Sequence, residues 1–263
     1  MDVSSLPIIG KIISHGYLAS GHLPVRISLP SLICILLGPM TGIPNSYLLD
    51  ALMDYICSNE RLKLKSALTC KSFNKEMNSD LISILSRFGC REMPTPATLA
   101  QILVNCARYE FCCKPSSAIS MLNCGIPIQH KSFWLELGVD GIGELYTSFT
   151  VNTDKVLKML SCAGVNEAEE RVFGYLTTMV GNMGVNDLRN FLRFCTGSSV
   201  CVSKSILIEF NSSSGLSRSP FAHTCTNTLE LPISYTNYHD FFAEWYSILC
   251  DTGNNWKWRM DCL

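Results

Sequence analysis

The stretch Ala222-His223-Thr224-Cys225-Thr226-Asn227, followed at once by Thr228-Leu229-Glu230-Leu231-Pro232, holds the residues best placed to do covalent chemistry. It sets one cysteine, with a histidine two residues before it, in a turn that feeds a short strand. A thiolate is a strong nucleophile near neutral pH, and exchange between thioesters is close to balanced in free energy. An acyl group carried on one cysteine can therefore hop to another and stay reactive toward an amine. A cysteine used in this way must be reached by two macromolecules in turn, which calls for an exposed loop. A polar loop before Cys225 and a strand after it meet that need. The alternation of that strand would send Thr226, Thr228 and Glu230 to one side and Asn227, Leu229 and Leu231 to the other. His223 could activate the thiol, orient the incoming group, or only hydrogen-bond the loop backbone. Thr224 could be a turn-former alone.

The elements that must position this turn are readable on both sides of it. Asn186 or Asp187 can cap a helix that carries Leu188, Phe191, Leu192 and Cys195 along one face and ends at Thr196-Gly197-Ser198. Ser205 to Phe210 reads as a strand, Asn211 to Ser219 as a polar loop, and Thr228 to Leu231 as a second short strand. Tyr238 to Cys250 reads as a closing helix that buries Phe241, Phe242, Trp245, Ile248 and Leu249. Thr153 to Leu160 and Glu167 to Met183 are also helical in pattern. Helices packed on a small sheet follow from this order.

Further upstream helical periodicity dominates. Ser46 to Ile56 places Leu48, Leu49, Leu52, Met53 and Ile56 on one face. Leu81 to Phe88 and Ala97 to Tyr109 read likewise, the second opened by Pro94-Thr95-Pro96, and Ser116 to Leu122 is a shorter helix ended by Asn123-Cys124-Gly125. Gly138 to Gly143 is glycine-rich and Ser148 to Val151 favours extended backbone, so a lobe boundary is expected near residues 143 to 150. The fold class is α+β: a mainly helical part, 1–147, followed by a small α/β part, 148–263, that carries the cysteine loop.

Composition narrows the function. A chain of 263 residues with a net charge of -1 and no long basic or acidic block argues against electrostatic nucleic-acid binding as the main activity. The most apolar stretch, Leu29 to Leu37, holds Pro30 and Ser31 and closes at Gly38-Pro39, far short of the ~20 residues of a membrane span. The N-terminus, Met1-Asp2-Val3-Ser4-Ser5, is acidic where a secretory leader is basic, so no membrane association is expected and the cytosol or nucleus is the expected compartment. In that reducing setting the 14 cysteines do not suggest a disulfide framework. No Cys-x-x-Cys unit occurs and Cys112 and Cys113 are adjacent, so no metal site and no cofactor is expected. Most of the thiols other than Cys225 are expected to be small apolar core residues.

Phe191-Leu192-Arg193-Phe194-Cys195-Thr196-Gly197-Ser198-Ser199, the Ala-His-Thr-Cys-x-Asn box at 222–227, the Leu-x-Leu-Pro exit at 229–232 and the aromatic helix after it occur in the order found in HECT-type ubiquitin ligases. The segment from Phe191 to Trp245 resembles the C-terminal lobe of that family. Ile9-Gly10-Lys11, Ser14-His15-Gly16-Tyr17-Leu18 and Leu32 to Gly38 look like the middle of its N-terminal lobe, which makes 1–147 a partial N-lobe by this resemblance. The likeness is densest over residues 188 to 249. There are departures. Phe221 stands where the family often has arginine, Thr226 follows the cysteine in place of an aromatic, and Val165 to Val180 replaces a Tyr-x-x-Gly-Tyr segment. The tail is Trp256-Lys257-Trp258-Arg259-Met260-Asp261-Cys262-Leu263.

The resemblance implies that Cys225 accepts ubiquitin as a thioester from a ubiquitin-conjugating enzyme and passes it to a lysine of a protein substrate. His223, Thr224 and Asn227 would support the loop. It also implies a docking surface for the conjugating enzyme between residues 45 and 130, and a C-lobe that swings on a hinge. Phe73, Phe88 and Tyr109 are candidate contacts there, with core packing the expected role. Glu230 and Asp240 are candidates to activate the attacking lysine, or solvated surface carboxylates. Two other readings compete. A catalytically impaired HECT-like protein would bind ubiquitin or a conjugating enzyme without transfer. A cysteine protease would pair Cys225 with His223 or His239, but it needs a base held by a third group and an oxyanion site.

Overall fold

The computed structural model describes residues 5–39, 42–162 and 166–254. The tail from Trp256, the first four residues and Val165, all used above, lie outside that range. The chain divides into two compact units, Met1–Thr147 and Ser148–Leu263.

Unit 1 is helical: α1 (Leu6–Ser20), α2 (Leu29–Leu37), α3 (Asn45–Tyr55), α4 (Ser58–Thr69), α5 (Lys75–Arg87), α6 (Leu99–Arg108), a π-turn (Tyr109–Cys113), α7 (Ser116–Gly125) and α8 (Ile128–Phe149). α2 is apolar all round because it is enclosed, with Leu29, Leu32, Ile33, Cys34, Ile35 and Leu36 all buried. Among the described residues no helix is long and apolar enough to cross a membrane. Gly138, at φ +68°, breaks α8 into two helical stretches, and Gly141 and Gly143 lie within the second. α3 and α7 fall near their expected places, and α7 runs on through Gly125.

Unit 2 continues with α9 (Thr153–Met159), β1 (Leu160–Ser161), α10 (Glu167–Gly181), α11 (Val185–Thr196), β2 (Ile206–Asn211), β3 (Phe221–His223), β4 (Thr228–Pro232) and α12 (Tyr238–Asn254). The fold is α+β. The sheet order is β1-β2-β4-β3, with β1 to β2 and β2 to β4 parallel and β3 antiparallel on β4. Local capping sets the helix starts. Asn166 and Glu169 form a reciprocal capping box on α10, and Asn237 accepts from the Asp240 amide at 2.9 Å to start α12. α11 begins two residues earlier than its sequence suggests, with Gly184 at the cap and Asp187 inside the first turn, where a carboxylate opposes the positive helix end.

The core of unit 2 lies between the sheet and its helices. α10 contributes Val172, Leu176, Met179 and Val180, and α11 contributes Leu188, Phe191, Leu192 and Cys195. β2 adds Ile206 and Ile208, β4 adds Leu229 and Leu231, and α12 adds Phe241, Trp245 and Leu249. Two expectations for α12 fail. Phe242 is 45% exposed and Ile248 is only half-buried, because the buried stripe runs along Phe241, Trp245 and Leu249 at strict i, i+4, i+8 spacing. Trp245 is the centre of an aromatic cluster, with ring centroids 5.5 Å from Phe191 and 5.3 Å from Phe194. Trp245→Ala should therefore lower the unfolding free energy of unit 2 by about 3–5 kcal/mol in urea titration, as large buried aromatics do. A loss below about 1 kcal/mol would contradict this packing.

Candidate active site

Cys225 sits in the turn Thr224–Asn227 between β3 and β4, and it is exposed. The residues before it are not a polar loop: Phe221, Ala222 and His223 form β3, paired with Glu230, Leu229 and Thr228. The cysteine is thus at the tip of a hairpin rather than at the entrance of a lone strand. The Thr226 amide donates to the His223 carbonyl at 3.2 Å, closing the turn. Asn227 completes it at φ +53°, in the left-handed region that asparagine tolerates better than most residues. Thr226 and Asn227 therefore belong to the turn, and the strand alternation begins only at Thr228. Leu229 and Leu231 point into the core, Glu230 is half-buried, and Thr228 is 7% exposed.

Two backbone bonds bracket the pairing of β4 with β2. The Leu207 amide donates to the Asn227 carbonyl at 2.9 Å, and the Ile233 amide donates to the Asn211 carbonyl at 2.9 Å. The first fixes the base of the Cys225 turn directly. The C-terminal end of α11 abuts the same turn. Gly197 closes that helix at φ +73°, its amide donating to the Arg193 carbonyl at 3.0 Å, and a side chain there would lie 3.7 Å from Thr224 Cβ. The left-handed backbone, and not that ordinary contact distance, is the physical reason for glycine in the Thr-Gly turn. The loop between β2 and β3 is tied at both ends. Asn211 Oδ1 accepts from the Ser213 amide at 3.1 Å, while Arg218 donates to Glu244 at 3.2 Å and stacks 4.5 Å over the Tyr235 ring. Burial pushes the Tyr235 hydroxyl above the ordinary phenol range.

His223 and Glu230 lie diagonally across the hairpin on one face. His223 Nε2 is 2.7 Å from Glu230 Oε1, and Asn211 donates to Glu230 Oε2 at 3.3 Å. A carboxylate oxygen accepts, so Nε2 is the donor in this pair. Phe221 packs edge-on against the imidazole, with centroids 4.9 Å apart. His223 is therefore held by side chains and not by the loop backbone. Glu230 gains a specific role as its orienting carboxylate, one that alternation on β4 alone does not reveal because it depends on the pairing of β4 with β3. Asp240 by contrast is spent at the start of α12, with Asn237 donating to its Oδ2 at 3.0 Å.

The other thiols are not all core residues. Cys34, Cys106 and Cys195 are buried, but Cys57, Cys113 and Cys124 are as exposed in class as Cys225. Burial pushes the Cys195 thiol far above its ordinary range and keeps it inert. Among the described residues no three metal-binding side chains converge. In unit 1 Phe73 and Phe88 are half-buried, whereas Tyr109 is 55% exposed and is not a core residue.

The conformation of Asn227 yields a direct check. Asn227→Gly should leave stability unchanged within about 0.5 kcal/mol, while Asn227→Val, forced into a left-handed backbone, should cost about 1–2 kcal/mol. Urea titration of the two variants measures this, and equal stabilities would contradict the turn described.

Compared with known proteins, residues 135–242 match the HECT-domain (ubiquitin-transferase) family, a stretch that contains the hairpin, Cys225 and the helix that abuts it. No curated protein matches the chain. The match supports a HECT-type ubiquitin ligase domain over residues 135–242.

Proposed function

We propose that Cys225 carries ubiquitin as a thioester between a ubiquitin-conjugating enzyme and a lysine of a protein substrate. The observation that carries this reading is an exposed cysteine at the tip of a hairpin whose base is bonded into a buried sheet. The sulfur is open to two large partners while the backbone around it is fixed. In the first step Cys225 Sγ attacks the carbonyl carbon of the conjugating enzyme's ubiquitin thioester, a new C–S bond forms, and the donor cysteine leaves as its thiolate. In the second step a lysine amine attacks that carbonyl, the isopeptide C–N bond forms, and the Cys225 sulfur is released.

His223, oriented by Glu230, is the group suited to take the proton that the attacking amine must lose. Asn211 holds the other carboxylate oxygen, so the three side chains act as one positioned unit. Thr224 and Asn227 serve the shape of the turn. In this reading unit 1 is the partial N-lobe, unit 2 the C-lobe, and the protein acts in the cytosol or nucleus.

Incubated with a ubiquitin-charged conjugating enzyme, the chain should form an adduct that a reducing agent removes, and Cys225→Ala should abolish it. An adduct undiminished in that variant would reject the assignment, and binding with no adduct in the unaltered chain would identify a non-transferring HECT-like protein instead. Glu230→Gln keeps the shape and removes the charge. It should slow discharge onto lysine about tenfold, the scale of one charge-assisted hydrogen bond, with the urea midpoint unchanged. A rate unchanged in Glu230→Gln would remove the carboxylate from the mechanism.

A further inference from the structure

Unit 1 holds a cavity of about 300 Å³ between the exit of α5 and the outer face of α6, lined among others by Phe88, Cys90, Glu92, Ile102, Cys106 and Tyr109. Two of those residues are thiols, and they are hydrogen-bonded to each other. Cys90 is half-buried in the loop after α5, and Cys106 is 5% exposed on α6. Phe88, Ile102 and Tyr109 form an apolar part of the wall, Glu92 and Asn105 a polar part, and Tyr109 is 55% exposed. An apolar cavity of roughly 150 Å³ already admits benzene, so this one has room for a ring beside the sulfurs.

We propose that Cys90 and Cys106 form a dithiol site for a trivalent, thiol-seeking centre bearing a small aryl group, of which an aryl arsenical is the defining chemical class. Each thiol gives up its proton and forms one S–As bond, and the arsenic oxygen leaves as water. For an arsine oxide, two S–H bonds and one As=O bond become two S–As bonds and one water. Arsenic stays trivalent and sulfur is not oxidised, so no further reactant is needed. The first bond forms at the more accessible Cys90. The second closes a ring with Cys106 intramolecularly, which is why a dithiol outcompetes a monothiol for such a centre. Burial and the neighbouring Cys90 thiol push Cys106 up to about 12, so Cys106 is the slower of the two thiols and gives up its proton only as the second S–As bond closes. The aryl group then rests against Phe88, Ile102 and Tyr109.

The probe is phenylarsine oxide added to the full reduced chain, with the site read by peptide mapping. The expected result is an arsenic bridge joining the peptide that holds Cys90 to the one that holds Cys106. It should survive excess monothiol and be removed by a small dithiol. Cys90→Ala should lose the bridge and Cys225→Ala should keep it, so the outcome is independent of the thioester reading. Cys34 and Cys112 also hydrogen-bond one another, with Cys34 enclosed in α2, and they provide the internal comparison. Arsenic found on that pair and not on Cys90–Cys106, or binding that excess monothiol reverses, would overturn the proposal. The map of the unaltered chain decides the matter even if a variant misfolds.

Discussion

The parallel ladder between β2 and β4 is the constraint on which the placement of Cys225 depends. Among the described residues, β4 has a partner strand on each side and leads directly out of the Cys225 turn. Its first backbone bond, from the Leu207 amide to the Asn227 carbonyl, is also the last fixed point before the exposed residues. Leu229 and Leu231 sink the next residues of β4 into the core, so the strand cannot slide by one position without turning both out to solvent. The register that buries them is the register that lifts Cys225 to the tip. Stability and presentation of the sulfur are one property of the same five residues.

From that ladder the rest of the site follows by short links. β3 adds to the free edge of β4 for only three residues, enough to bring His223 diagonal to Glu230. Asn211, the last residue of β2, reaches the second oxygen of the same carboxylate. On the other flank α11 ends against Thr224, and the sharp left-handed closure at Gly197 lets it end there. The loop that could have been slack, between β2 and β3, is pinned by Arg218 to Glu244 and Tyr235. The Cys225 thiol thus stands on a frame whose neighbours are fixed by named contacts, as the proposed encounter with two proteins in succession requires.

Much of this frame was legible in the residues. α11, β2, β4 and α12 carry strong local patterns, an amphipathic stripe or an alternating run, and Thr196-Gly197 and Leu231-Pro232 punctuate them. β3 was not legible, because Phe221 to His223 is too short for periodicity and becomes a strand only by pairing with β4. The partnership of His223 with Glu230 was hidden for the same reason, since it depends on register across the hairpin. The glycine-rich run pointed to a break in the chain, and Gly138 does leave helical backbone, but Gly141 and Gly143 stay helical because glycine composition alone does not say which glycine takes the left-handed conformation. Cysteine burial was also beyond local reading. A thiol has no strong preference of its own, and whether Cys57 or Cys195 faces water is decided by which helix face the core selects.

The most direct test of the central claim is to replace the sulfur by oxygen and ask where the acyl group is trapped. With a charged conjugating enzyme, Cys225→Ser is expected to accumulate ubiquitin as an oxygen ester on residue 225, resistant to thiols and released by alkali, as mass spectrometry of the modified peptide would read. Ubiquitin found on a different residue, or a thiol-sensitive adduct persisting in that variant, would contradict the account.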